Sequence, residues 1–290
     1  MISADKLLEF SAPDDRYYDF CLWEYQPLSS PEGKYRSVNL LYKSFEVAGV
    51  DPGIVEICRA IRDGIGPWRT VWGVKKIADK LSWEFYFYDY KRLNREVSIE
   101  RMTALLSPYV KCGLDYPGQH PYFMFSIDLD PALIGGAGEL DEINVYLGNP
   151  GSTVSSGICY SLTAGGLALD NFYFFFDAAT ELDKAIEKAL CSVYLDPVAL
   201  DTREIFWPEL TRCKTVVVAN KKFNDGIYFS RVDIGQLIGF LKRMDYPPAL
   251  VAYAEANRHR LDHMRYDVAF DYVMEQGGIR VLKSSWYGVF

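Results

Sequence analysis

The sequence is poor in histidine, with three residues. Its six cysteines (Cys21, Cys58, Cys112, Cys159, Cys191, Cys213) form no CxxC pair and no metal-ligand spacing. That excludes zinc ribbons and disulfide scaffolds, and the cysteines read as reduced, buried thiols. No apolar run nears the ~20 residues of a membrane-spanning helix. Met1-Ile2-Ser3-Ala4-Asp5-Lys6 lacks the pattern of a secretory leader, so the expectation is a soluble, cytoplasmic protein. Positive charge is also short: 31 Lys and Arg against 39 Asp and Glu leave a net charge of −8. A non-specific nucleic-acid binder needs the opposite balance. There is no Gly-x-Ser-x-Gly elbow. The glycine-rich Gly135-Gly136-Ala137-Gly138 is followed by no Lys-Ser/Thr, which excludes a phosphate-cradling loop.

What the chain has in excess is aromatic, with 21 Tyr, 17 Phe and 6 Trp making 15% of its 290 residues. Tyrosine joins an apolar ring to a polar tip and suits the wall of a half-wet pocket. Residues 1–43 carry Pro13, Pro27 and Pro31 without a periodic element and read as an irregular arm. Asp51-Pro52 then opens a helix with Ile54, Ile57, Cys58 and Ile61 on one face. Arg69 to Lys75 and Leu81 to Tyr90 read as two strands around Ala78-Asp79. In the second, Trp83, Phe85 and Phe87 alternate with Glu84, Tyr86 and Tyr88. Ser98 caps another helix. This helix–strand–strand–helix grammar recurs. Tyr122 to Asp128, Glu142 to Leu147, Ile158 to Thr163 and Asn171 to Phe176 alternate in the same way. Cys213 to Lys221 and Ile227 to Val232 flank the turn Asn224-Asp225-Gly226. Asp233-Ile234-Gly235-Gln236 is a capping box, and Tyr266 to Val273 with Ile279 to Ser284 make a final pair. About ten strands, mostly in hairpins, exclude a doubly wound parallel sheet. The pattern predicts an α+β fold: one domain over 1–290, a closed antiparallel barrel of αββα units with helices outside. Its inner face would carry Tyr, Ser, Asp, Glu and Arg.

Four stretches carry a resemblance to a known family. They are Ser44-Phe45-Glu46-Val47, Ser126-Ile127-Asp128-Leu129, Asn220 to Phe229, and Ile279-Arg280-Val281-Leu282 with Trp286 and Tyr287. With the αββα repeat and aromatic lumen, the chain resembles the ABBA-type aromatic prenyltransferases, and within these the peptide prenyltransferases of cyanobactin biosynthesis. The resemblance implies transfer of a dimethylallyl or geranyl group from an allylic diphosphate to an aromatic or peptide side chain in natural-product biosynthesis. It implies Mg²⁺ as the cofactor such chemistry can use, and no nucleic-acid or membrane partner. It also implies a diphosphate site of Arg69, Lys75, Lys221, Arg231 and Arg280, and a shield of Tyr86, Tyr88, Tyr146 and Tyr173 around the allyl cation. Strand parity puts Arg69 and Lys75 on one face, opposite Trp72 and Val74. Glu84 and Asp128 are the candidate catalytic carboxylates.

Two features count against the diphosphate site. The strand with Glu142, Asn144 and Tyr146 lacks basic residues, and Glu84 sits where a cation would be welcome. The alternative is a non-catalytic barrel binding a hydrophobic or aromatic small molecule. Asp14-Asp15-Arg16-Tyr17-Tyr18-Asp19 looks like the aspartate-rich metal motif of all-helical prenyl synthases, but it lies in a proline-broken arm. His259 and His263 have the i, i+4 spacing of metal ligands without an intervening Glu, and read as solvated or capping residues.

Overall fold

Alternation with period two and periodicity near 3.6 divide the chain between strands and helices, as side-chain geometry requires. The computed structural model describes residues 2–118, 120–149, 156–276 and 278–290. Its strands are β1 (Thr70–Ile77), β2 (Lys80–Tyr88), β3 (Lys111–Cys112), β4 (Met124–Leu129), β5 (Glu139–Leu140), β6 (Ile143–Asn149), β7 (Ser156–Thr163), β8 (Gly166–Asp177), β9 (Thr215–Lys221), β10 (Asp225–Val232), β11 (Tyr266–Glu275) and β12 (Gly278–Val289). Its α-helices are α1 (Val38–Ala48), α2 (Gly53–Ile65), α3 (Ile99–Leu106), α4 (Pro131–Ile134), α5 (Leu182–Leu190), α6 (Ile234–Arg243), α7 (Pro248–Ala256) and α8 (Arg258–Leu261).

Ten strands close into an antiparallel barrel in the order β1-β12-β11-β10-β9-β8-β7-β6-β4-β2. The last strand completes it by pairing with the first, from Val71 opposite Val289 to Lys76 opposite Ser284. Closure leaves the ten-stranded sheet no free edge. The outward residues of these strands, among them Trp72, Trp83, Phe85, Phe87, Phe125, Val218, Phe229 and Trp286, are buried with Leu41, Phe45, Ile57, Ile61, Met102, Leu237 and Leu250 of the helices in one core. The large core therefore lies between barrel and helices. A second, smaller apolar cluster, with Val71, Tyr88, Phe123 and Met124, fills part of the lumen.

Local signals set the helix ends. Ser98 accepts the amide of Arg101, and Asp233 and Gln236 form the capping box on α6. One element differs from expectation. Helix α1 starts at Val38, inside the stretch read as irregular, and its Ser44 Oγ accepts the Trp83 indole N–H at 2.8 Å. The seven residues Val38 to Ser44 lie on the helix with no proline to break it, but they follow three prolines that mask the start. The arm before α1 is irregular apart from a 3₁₀ turn at Ala4–Lys6, with isolated bridges from Phe10 to Tyr35 and from Tyr18 to Glu24. His263 is buried and bonds Ser11 at 3.0 Å, so it ties the arm down.

Candidate active site

Inward-facing residues divide the lumen into three levels. The middle level is aromatic. Tyr86 on β2, Tyr146 on β6, Tyr173 on β8, Tyr228 on β10 and Tyr287 on β12 form a closed circuit. Successive ring centroids are 6.2, 6.1, 6.0, 6.4 and 5.9 Å apart, the last step returning from Tyr287 to Tyr86. Gly73 lies opposite Tyr287 in the β1–β12 register, and a Cβ there would stand 2.8 Å from two ring carbons of Tyr287. The missing side chain is what lets this ring lie over β1. Burial first, and neighbouring carboxylates, phenols and the Cys159 thiol second, hold the five hydroxyls well above their ordinary pKa. The rings are therefore neutral phenols whose faces carry the negative quadrupole of an aromatic.

On one side of this circuit lies a polar chamber of ≈ 230 Å³. Lys75 Nζ bonds Glu84 at 2.5 Å and Asp128 at 2.6 Å, and Ser126 Oγ donates to Glu84 at 2.5 Å. Across the chamber Asp271 takes Lys221 at 2.8 Å and Lys283 at 3.0 Å. Burial raises the Asp271 carboxyl, but Lys221 and Lys283 outweigh it and bring its pKa down to about 2. Burial likewise opposes ionisation of Glu84, and Lys75 with Ser126 brings it below the ordinary value. Asp128 goes the other way, raised by burial and then by the negative Glu84. Burial depresses Lys283, helped by the charges of Lys221 and Lys75. The wall carries Lys75, Lys221, Lys222 and Lys283 against Glu84, Asp128, Glu142, Asp170 and Asp271, four positive and five negative groups, a formal −1.

On the other side lies an apolar chamber with only ≈ 50 Å³ of room, lined by Val71, Tyr88, Phe123, Met124, Phe175 and Val217 and closed by Phe20 and Cys21 of the N-terminal arm.

The structure brings Glu84, Asp128, Lys75, Lys221, Tyr86, Tyr146 and Tyr173 to the same lumen. Tyr88 is on that face too, but one step deeper, where its hydroxyl donates to the carbonyl of Phe20. Three expected diphosphate ligands stand elsewhere. Arg69 precedes β1, is exposed and pairs with Glu96 at 3.2 Å. Arg280 is exposed and pairs with Glu275 at 2.6 Å. Arg231 is at the apolar end, bound to Asp19 of the arm at 2.8 Å. Arg231 sits at a bulge, where the β10–β11 register shifts between Ser230 and Val232. Arg280 lies near the β11–β12 turn, opposite Val273. Arg231 is itself the extra residue, at φ 66°.

Three lumen groups were not singled out from the sequence: Tyr228, Tyr287 and the Asp271–Lys283 pair. Parity could have found the tyrosines. Tyr228 alternates with Ile227 and Phe229, and Tyr287 shares its phase with Ser285 and Lys283 against Trp286. The chamber does not fit a built Mg²⁺ centre. Among the described residues no three His, Cys, Asp or Glu side chains converge as metal ligands, and Lys75 already occupies both Glu84 and Asp128.

No family model and no curated protein sequence matches this chain. Among solved structures it is similar to the prenyltransferase PriB in its ternary complex with L-tryptophan and dimethylallyl thiolodiphosphate. The TM-score is 0.50 at 10% sequence identity, over 86% of this chain and 94% of that one. With the closed ten-strand topology, this decides the architecture. The barrel is of the prenyltransferase type. At so low an identity the likeness speaks for the fold alone. Among the described residues no helix is long and apolar enough to cross a membrane.

Proposed function

We propose that this protein is an aromatic prenyltransferase, moving the prenyl group of an allylic diphosphate to an electron-rich ring, free or borne on a peptide. The observation that carries the reading is the closed circuit of five tyrosines placed directly against a lysine-bearing chamber. Breaking the bond between C1 and oxygen sends the electron pair onto diphosphate and leaves an allyl cation. Aromatic faces stabilise such a cation, and walls that exclude water keep it from hydrolysis. Lys75, Lys221 and Lys283 are the cations able to hold the departing diphosphate, where preplaced charge acts most strongly. The acceptor carbon then bonds to C1, and the ring proton it sheds passes to a carboxylate. Asp128 suits that role better than Glu84, because its raised pKa makes it the stronger base of the pair.

The complex of the structurally similar prenyltransferase PriB, which holds dimethylallyl thiolodiphosphate and L-tryptophan, supports the same pairing of donor and acceptor. A peptide acceptor, as in cyanobactin biosynthesis, is the finer form of the reading that the sequence resemblance favours. Since the donor set does not make a Mg²⁺ site, we read the chemistry as carried by the lysines.

Calorimetric titration with dimethylallyl thiolodiphosphate tests this, with dimethylallyl alcohol as control. Binding of the diphosphate alone, weakened at least about tenfold, or ~1.4 kcal/mol, in Lys221→Ala, is the expected result. Equal binding of the alcohol, or none of the diphosphate, identifies a barrel that binds an apolar ligand without catalysis.

A further inference from the structure

The floor of the apolar chamber is supplied by the arm and not by the barrel. Residues 18–24 fold back on themselves, with Tyr18 bridged to Glu24, the Leu22 amide donating to Asp19 O at 2.8 Å, and Leu22 held at φ 55°. A left-handed leucine is a strained residue, which persists only where surroundings over-determine it. The tip of this turn enters the barrel and presents Phe20. Its ring lies nearly parallel to Phe175, at 6.4 Å and 10°, and to Tyr228, at 6.3 Å and 17°.

The tip is fixed from several strands at once. The Phe20 amide donates to the buried Asp267 carboxylate at 2.9 Å. Asp19, also buried, accepts the amides of Cys21 and Trp23 at 3.0 Å each and the Arg231 guanidinium at 2.8 Å. Tyr88 and Tyr90 donate their hydroxyls to the carbonyls of Phe20 and Cys21. Bonds converging from β2, β10 and β11 make Phe20 a positioned wall rather than a residue that merely fills space.

Its consequence is a size limit. A chamber of ≈ 50 Å³ remains beyond the tyrosine circuit. A dry protein cavity that takes up benzene has about 150 Å³. The terminal methyls of a five-carbon allyl group can reach in from the polar side. A second isoprene unit, close to benzene in bulk, cannot.

We propose that the inserted turn is a chain-length plug, and that Phe20 restricts the donor to a single isoprene unit. This rests on the prenyl-transfer reading above. Removing the Phe20 ring vacates a benzene-sized space directly behind Tyr228, so a geranyl tail then has somewhere to lie.

The test is calorimetric titration of the full chain with three probes: inorganic diphosphate, dimethylallyl thiolodiphosphate and geranyl thiolodiphosphate. The native protein is expected to bind the dimethylallyl probe at least about tenfold more tightly than the geranyl probe. Phe20→Ala should shift that ratio toward geranyl by about tenfold or more, since even two further buried methylenes are worth roughly that factor. Its affinity for inorganic diphosphate should not change. Phe20→Leu, a milder cut, should shift the ratio in the same direction by less, and it carries the test if the alanine variant does not fold. Equal affinity of the native protein for both prenyl probes, or an unaltered ratio in the variants, overturns the plug while leaving prenyl transfer intact. Failure of all three probes to bind the native protein overturns prenyl transfer, and the plug with it.

Discussion

Asp128 and Glu84 face one another across a single β2–β4 register step, share the same lysine, and differ in what that does to them. Glu84 also accepts from Ser126 and is held ionised, whereas Asp128 is raised and looks into the chamber. Asp128→Asn keeps the size and most of the polarity, so donor affinity should persist while turnover falls by ~10²–10⁴, the usual worth of a general base. Turnover with a cognate acceptor and analogue affinity, measured on the same variant, check the split. Asp271 supports a pH-dependent prediction. Its carboxyl is lowered to about 2 in the fold, below its ordinary value. A lowered acid contributes stability above its unfolded pKa and loses it as pH falls through the folded one. Acid unfolding should therefore gain steepness between about pH 4 and pH 2, with roughly 2 kcal/mol at stake from this one group. Denaturant titrations at several pH values should show that slope reduced in Asp271→Asn.

At the scale of elements, two contacts are specific enough to test. Gly73→Ala would place its methyl 2.8 Å from the Tyr287 ring. The ring must move or the strands part, an overpacking that costs about 1–3 kcal/mol and opens the aromatic circuit. Thermal unfolding and donor-analogue titration of this variant should both shift downward. The inserted turn depends on two buried carboxylates, Asp19 and Asp267, with Arg231 the cation bonded to Asp19. Cys21, Tyr25, Tyr88 and Cys213 are the other titratable groups near Asp267. Burial, and then the charge of Asp19, push Asp267 up to about 7. A raised acid stabilises the fold when protonated, so stability should decline as pH rises from about 4 through 7. Asp267→Asn should flatten that decline, and hydrogen exchange at residues 19–22 should report it locally. The elements themselves were legible in the sequence wherever local chemistry sets them. Asp233 and Gln236 announced α6, Ser98 announced α3, and alternation along 83–88 placed Tyr86 inward. Legibility failed where the resemblance alone placed a residue in the lumen, as at Arg231, which sits on a bulge of β10. It failed too where placement is non-local, as for the turn at Phe20, whose bonding partners lie between 68 and 247 residues away in sequence.

For the whole molecule, the repeat of hairpins and helices was enough to read a closed barrel, because antiparallel neighbours with one apolar face must pack that face on helices and turn the other inward. What each lumen level does was less legible. The lysines Lys75, Lys221 and Lys283 come from β1, β9 and β12, and only closure of the barrel brings them to one chamber. Their pairing with Glu84, Asp128 and Asp271 gives the chamber its near-neutral balance, which a count of basic residues along the strands does not reveal. Because those same carboxylates are committed to lysines, donor binding should be insensitive to EDTA; a Mg²⁺ requirement, seen as loss of analogue binding on chelation and return on adding the metal, would contradict that reading. The central claim is that the prenyl group sits inside the tyrosine circuit. Proton NMR of bound dimethylallyl thiolodiphosphate tests this most directly, through its two terminal methyl signals. Enclosed by Tyr86, Tyr146, Tyr173, Tyr228 and Tyr287, the methyls should move upfield by ring currents and show Overhauser contacts to tyrosine ring protons. Methyl signals left at their free positions in a saturated complex would contradict the account.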